Sequence, residues 1–403
     1  MPEAVIVATA RSPIGRAFKG SLVEVRADDL AAQMVQAVLA KVPQIDPSEI
    51  EDLLMGCGLP GGEQGFNIAR VVSTLAGLPN VPGTTVNRYC SSSLQTIRMA
   101  AHAIRAGEGD VFIAAGVECV SRFVNGNSDS LPDTENPRFN DARSRSARRS
   151  NGANEGWSPS AGLPDVYIAM GQTAENVAQL EGVTREQQDE YALQSQHNAG
   201  RAIANGFFER DITPVTLPDG RVLSTDDGPR PETTIDGLQK LKPAFRPDGS
   251  VTAGNACPLN DGAAAVVVMS DTRARELGIT PLARIVASAV TGIDPEIMGL
   301  GPIEACRRAM ARAGMSIGDI DLVEINEAFA AQVVPSMRHL GIGRDKINVH
   351  GGAIALGHPF GMTGARIMTT LINGLLATDK TVGMESMCVG GGQGMAMIIE
   401  RVG

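Results

Sequence analysis

Apolar and polar positions alternate along this chain in two rhythms, and the rhythms change places repeatedly. Short apolar runs bounded by Gly, Pro or Asn predict strands at 5–8, 52–55, 84–87, 111–115, 263–269, 283–290, 322–325, 347–350, 381–387 and 396–401. Between them, spacing near 3.6 predicts helices at 28–40, 67–76, 91–105, 303–313, 328–340 and 363–377. In 28–40 the apolar face is Leu30, Met34, Ala37 and Val38. In 91–105 it is Leu94, Ile97, Ala101 and Ile104, with Gly107 as the stop. Strands that alternate with helices predict a mixed or parallel sheet covered on both faces. The α/β pattern runs twice, in 1–121 and again after Pro281. Each run holds a glycine- or serine-rich elbow between a strand and a helix, at Cys90 and at 351–361, so the halves read as two copies of one unit. Between them, 122–160 is rich in Asn, Ser, Arg, Asp and Pro, 170–208 is helical and 209–250 is again Pro- and Gly-rich. The segment 122–250 reads as an inserted loop domain. The division is then 1–121 with 251–272, 122–250, and 273–403.

Composition narrows the class. The chain has 403 residues, a formal charge of −10 and 43% apolar residues. A large core is available, and the acidic balance argues against a general nucleic-acid binder. No apolar run is long enough to span a membrane, and the N-terminal segment lacks the basic and small-residue features of a secretory signal, so a cytoplasmic protein is expected. Five arginines (138, 143, 145, 148 and 149) share twelve residues with a single acid, Asp141. Such a run is either solvated surface or a place for a polyanionic ligand. The six cysteines form no C-x-x-C pair, and no metal site is expected. Residues 56–61 (GCGLPG) match a dinucleotide fingerprint, but no acid lies between Glu63 and Glu108 to hold a ribose, so they read as a glycine-rich loop.

Four positions carry candidate chemistry. Cys90 lies where a strand turns into a helix, and the amides and macrodipole of Ser91–Ser93 there favour a thiolate; alternatively it is a buried small hydrophobe. His358 is framed by glycines and Pro359, which restrict its backbone. Cys388 leads into Gly390–Gly392, whose amides can approach a ligand oxygen. Asn326, at a strand-to-helix junction, is a helix cap or a site amide. Two Cys, one His and one Asn on such elbows together describe a covalent acyl-transfer site.

These segments resemble the thiolases, the acyl-CoA C-acyltransferases. The matching stretches are 87–95 (NRYCSSSLQ), 326–330 (NEAFA), 348–359 (NVHGGAIALGHP) and 388–396 (CVGGGQGMA), joined by 10–15, 171–178 and 252–265, and the likeness is weakest in 123–165. The resemblance implies a duplicated α-β-α-β-α five-layer fold with a loop domain that grips coenzyme A. It implies Cys90 as acyl-carrying nucleophile, His358 as its base, Cys388 as acid/base at the α-carbon, and Asn326 as holder of a water beside His358. The amides of Cys90 and Gly390 would form an oxyanion hole. Coenzyme and substrate contacts are implied for Arg230, Leu238, Ala244, Phe245, Ala253, Gly254, Cys257, Leu259, Met170, Met298, Ala328 and Phe329. Acyl-CoA and CoA would be substrates, with no tightly bound cofactor, and the chain would form a homodimer or homotetramer. The weighed alternatives are a decarboxylating ketoacyl synthase, which Cys388 opposes, and a non-catalytic acyl-CoA binder, which the four filled positions oppose. Ser93 and Cys257 depart from the usual Gly and Ser. Ala169 stands where short-chain members carry His, which leaves room for longer or branched acyl groups. Cys57, Cys119 and Cys306 are expected to be packing residues.

Overall fold

The computed structural model describes residues 2–129, 132–152 and 156–403. The first half runs β1 (Ala4–Arg11), α1 (Ala27–Ala40), β2 (Ile50–Gly56), α2 (Ile68–Leu75), β3 (Gly83–Val86), α3 (Ser92–Ala106) and β4 (Val111–Cys119). An excursion follows that carries helices α4 (Asn140–Ser150), α5 (Met170–Glu181) and α6 (Arg185–Ala204), and β5 (Asn260–Ser270) returns the chain to the sheet. The second half runs β6 (Ala283–Gly292), α7 (Gly301–Ala313), β7 (Leu322–Ile325), α8 (Ala330–Leu340), α9 (Thr363–Thr378), β8 (Val382–Val389) and β9 (Gln393–Arg401).

Strand order shows the duplication. In the first half it is β1-β5-β4-β2-β3, and in the second β6-β9-β8-β7. Corresponding neighbours also run in the same sense. β2 is parallel to β3 and β4, while β4–β5 and β5–β1 are antiparallel; β7–β8 is parallel, while β8–β9 and β9–β6 are antiparallel. The half-sheets meet through a short antiparallel contact of β1 with β6, at Val5 opposite Arg284 and Ile6 opposite Ala283.

The strand expected over 347–350 does not form. Ile347 alone bridges Val323, in the parallel sense, which is the place β3 takes beside β2 in the other half. The pairing stops because Asn348 adopts φ +45 and Gly351 φ +86. Asn348 uses its side chain in place of a ladder, accepting from the Ile325 amide and donating to the Ile325 carbonyl.

Three apolar clusters define the layers. One packs α1 and α2 on the outside of the first half-sheet. Another packs α7 and α8 on the second. Between the half-sheets lie α3 and α9, sharing one core with strands of both. That is five layers, helix–sheet–helix–sheet–helix. α9 is buried nearly all round, as a helix between two sheets must be. The central helices approach closely at their first turns. A Cβ on Gly364 would lie 2.3 Å from the Leu94 amide nitrogen, so only glycine fits. Ser93, the departure noted above, accepts the Ala365 amide at 2.9 Å and so ties α3 to α9. Among the described residues no helix is long and apolar enough to cross a membrane.

Candidate active site

β3 feeds one elbow, and in the other half the single bridge at Ile347 precedes the second; the elbows lead into α3 and α9, whose first turns meet. In the first half Tyr89 adopts φ +41, and Cys90 follows in a short helical turn ahead of α3. No side chain caps α3. The three serines instead fix the elbow. Ser91 donates to the Arg88 carbonyl, Ser92 donates to the Tyr89 carbonyl and accepts the Arg88 amide, and Ser93 holds α9.

The thiolate expected at Cys90 is not what this environment favours. Burial pushes its thiol up to about 12, and the Gly390 amide that points at the sulfur offsets only part of that. The helix end is a partial charge, whereas removing a full charge from water costs more. Cys388 is fully buried and its thiol is also pushed well up, by burial first and then by the neighbouring Cys90 and Cys257. Its environment therefore does not give an ordinary thiol pKa near neutrality.

His358 is neutral. Burial, helped by Arg366, lowers its pKa to about 3. Its tautomer follows from its partners. Thr363, at the start of α9, donates its hydroxyl hydrogen to the Pro359 carbonyl at 2.8 Å. Its oxygen, 2.6 Å from His358 Nδ1, must then accept, which puts the ring proton on Nδ1 and the lone pair on Nε2. Asn326 Nδ2 faces that Nε2 at 3.3 Å, a long hydrogen bond. Asn326 does not cap α8, which starts only at Ala330 with Phe329 as its N-cap. Its Oδ1 is buried without a partner. The His358 amide donates to Asn260 Oδ1, which anchors the elbow to β5 of the other half.

Two buried carboxylates hold the surrounding loops, and the sequence reading had assigned neither. Glu118, at the end of β4, accepts the amides of Gly58, Leu59 and Gly361 and the Gln64 side chain. The glycine-rich loop 56–61 is therefore a cradle for the protein's own carboxylate, and through Gly361 it is joined to the His358 elbow. Glu327, next to Asn326, accepts from Tyr191, Ser195, Asn348 and the Ile354 amide. It binds α6 of the excursion to the 348–354 segment. Thr363 was equally unmarked; its one visible signal is a hydroxyl five residues after His358 at a helix start.

The expected contact residues fall in two adjoining places. Arg230, Leu238, Ala253 and Gly254 line a cleft of about 360 Å³, with Arg16, Pro258 and Ile354. Ala328, Phe329, Met298 and Cys388 share one apolar cluster, against which Met170 and Cys257 pack. Phe245 meets Phe329 edge-on at 6.0 Å, and Cys257 donates its amide to the Ala328 carbonyl. Ala244 is fixed by the Val251 carbonyl, and Leu259 and Phe245 stand exposed. None of the five arginines of 138–149 lines the cleft. Arg149 is paired with Glu296 in the interior, Arg143 with Glu135, and Arg145 holds the Leu163 carbonyl. Cys57, Cys119 and Cys306 are buried in apolar clusters. No group of three or more His, Cys, Asp or Glu side chains among the described residues is placed to hold a metal ion.

Comparison with known proteins places this arrangement. The family model described as "Thiolase, N-terminal domain" matches residues 4–272, and "Thiolase, C-terminal domain" matches 279–401. A 3-ketoacyl-CoA thiolase of Aeromonas hydrophila is 44% identical over 411 residues, covering all of both chains. A 3-oxoadipyl-CoA/3-oxo-5,6-dehydrosuberyl-CoA thiolase of Escherichia coli is 45% identical over 414 residues, again covering both completely. The crystal structure of a Bacillus anthracis acetyl-CoA acetyltransferase superposes with a TM-score of 0.86 at 39% identity, covering 100% of this chain and 99% of that one.

Proposed function

This chain belongs to the thiolase family and is an acyl-CoA acyltransferase, and we propose that it cleaves 3-ketoacyl-CoA with CoA, or runs the reverse condensation, through an acyl group carried on Cys90. The observation that carries the reading is the fixed tautomer of His358, which leaves Nε2 as a base at the meeting point of the two elbows.

In the cleavage direction, His358 Nε2 takes the Cys90 proton as Sγ adds to the 3-keto carbon. The oxyanion that forms accepts from the Cys90 and Gly390 amides, fixed donors that need no reorganisation. Collapse breaks the bond between C2 and C3 and releases the enolate of acetyl-CoA. Its oxygen accepts from the Nε2–H of the imidazolium and from Asn326, directly or through water. Cys388 gives its proton to the enolate carbon. Incoming CoA–SH then loses its proton to the Cys388 thiolate and attacks the Cys90 thioester, and the departing Cys90 sulfur recovers its proton from His358. Every proton returns to its starting group, and a resting pair of neutral thiol and neutral imidazole suits that cycle.

The cleft around Arg230 and Gly254 takes the coenzyme, and the excursion 122–250 acts as the domain that grips it. The chemistry needs only this chain's side chains and its two substrates. A homo-oligomer, dimer or tetramer, is part of the reading. β3 ends the sheet, and Phe66, beside it, is 93% exposed. Six free cysteines suit a reducing, cytoplasmic setting.

The test separates the half-reactions. Cys388→Ser is expected to accept an acetyl group from acetyl-CoA while condensation falls by about 10²-fold or more. Full condensation activity in that variant would remove Cys388 from the proposed role.

A further inference from the structure

We propose that the groove between α4 and residues 165–172 is a subsite for the far end of the acyl group, and that it selects long acyl chains bearing a neutral oxygen function, a hydroxyl or a ketone. The inference rests on the reading that Cys90 carries the acyl group.

The groove has a volume of about 560 Å³, within the ~300–1,000 Å³ usual for small-molecule sites. Its position is set by one short stretch of chain. Ala169 lines it, and the next residue, Met170, packs against the cluster that contains Cys388. Three residues earlier, Val166 lies 4.0 Å from where a Cβ on Gly391 would stand, over the loop that offers the Gly390 amide. The stretch 166–170 therefore has the reacting centre on one side and the groove on the other. The methyl of Ala169 presents little bulk at that boundary.

The lining sets the chemistry. Ser146, on α4, is 7% exposed, and its Oγ has no hydrogen-bond partner. The Tyr167 phenol oxygen accepts the Asn136 amide at 3.1 Å, which leaves its own hydrogen to donate. The charged groups in the groove compensate one another or repel anions. Arg143 is paired with Glu135, and Asp165 accepts the Tyr167 amide. The Ser146 hydroxyl is closed to solvent and unpaired, so a plain alkyl tail leaves in place a penalty that an oxygen function removes. A carboxylate would meet Asp165 and Glu135 with no unpaired cation in the lining. A neutral oxygen can accept from Ser146 and Tyr167 without either penalty.

Thiolysis kcat/KM would be measured for acetoacetyl-CoA, 3-oxodecanoyl-CoA, ω-hydroxy-3-oxodecanoyl-CoA and 3-oxoadipyl-CoA, in the wild type, Ser146→Ala and Ala147→Trp. Ala147 is an exposed position on the groove side of α4, so the bulky variant tests the site without disturbing the core. The wild type is expected to favour the ω-hydroxy chain over the alkyl chain by about tenfold, the upper range for one hydrogen bond. Ser146→Ala removes that preference. Ala147→Trp lowers both long substrates and leaves acetoacetyl-CoA unchanged. Equal handling of the two long chains by all three proteins, or a preference for the dicarboxylic substrate, overturns the proposal. Mass measurement of the acetyl adduct on Cys90 accompanies each protein. Absence of the adduct in the wild type would undo the acyl-enzyme reading itself, whereas an intact adduct with no tail discrimination undoes the groove alone.

Discussion

The Nδ1 of His358 lies 2.6 Å from the hydroxyl oxygen of Thr363, and that hydroxyl has already given its hydrogen to the Pro359 carbonyl. One threonine thereby decides which ring nitrogen of His358 carries the proton. Thr363 sits in the first turn of α9, whose approach to α3 is fixed by Gly364 against Leu94 and by Ser93 against Ala365. Helix packing, ring orientation and proton position are thus one arrangement.

Thr363→Val keeps the shape and removes the acceptor. The ring is then free to carry its proton on Nε2, and kcat for thiolysis is expected to fall by about 10–100-fold, the size seen when metal-bound histidines lose the partner of their other ring nitrogen. Thr363→Ser should restore most of it. Equal kcat in the valine variant and the wild type would show that the tautomer is set elsewhere.

The alkylation of Cys90 by iodoacetamide reports its ionisation. Burial pushes the Cys90 thiol up to about 12 and His358 down to about 3, and both shifts favour the neutral thiol and neutral imidazole over an ion pair. The alkylation rate of the free enzyme is expected to keep rising with pH beyond about 9. A plateau from about pH 6 would mean that the ion pair is the resting state.

The two buried histidines contribute to acid sensitivity. His358 and His350 have pKa values of about 3 and about 4 when folded, against 6.5 when free. Between those limits each of these histidines binds more protons in the unfolded chain, so their contribution falls as pH drops from about 6.5, while the buried Glu118, Glu324, Glu327 and Glu385, raised by burial, act in the opposite sense. At pH 5 the His358 share is about 2 kcal/mol at most. Urea unfolding at pH 7 and pH 5 should show a smaller pH-dependent loss in His358→Asn than in the wild type. Identical losses would place the effect on other groups.

Much of the architecture was legible in the sequence because it is periodic. The strand over 322–325 and the helices over 92–106 and 363–378 follow from apolar spacing and glycine stops, and the doubled pattern appears as a doubled strand order. The strand expected at 347–350 failed because a left-handed Asn348 leaves no apolar signature. The burial that pushes the Cys90 thiol up was not legible, because sequence position reveals a helix end but not the depth of burial. Glu118, Glu327 and Thr363 were not legible because their contacts depend on partners brought together by folding: Glu118 reaches Gly361, 243 residues away, and Glu327 reaches Tyr191, 136 residues away. The arginine cluster was legible as a cluster but not as a set of partners, since Glu296 and Glu135 neutralise two of its members.

The central claim, an acyl group carried on Cys90, is tested most directly by intact-mass measurement after mixing the protein with acetyl-CoA in the absence of a second acyl substrate. One added acetyl group is expected, located on the peptide containing Cys90, absent in Cys90→Ala and removed by added CoA. An unmodified wild-type mass at saturating acetyl-CoA, or an adduct that persists in Cys90→Ala, would contradict it.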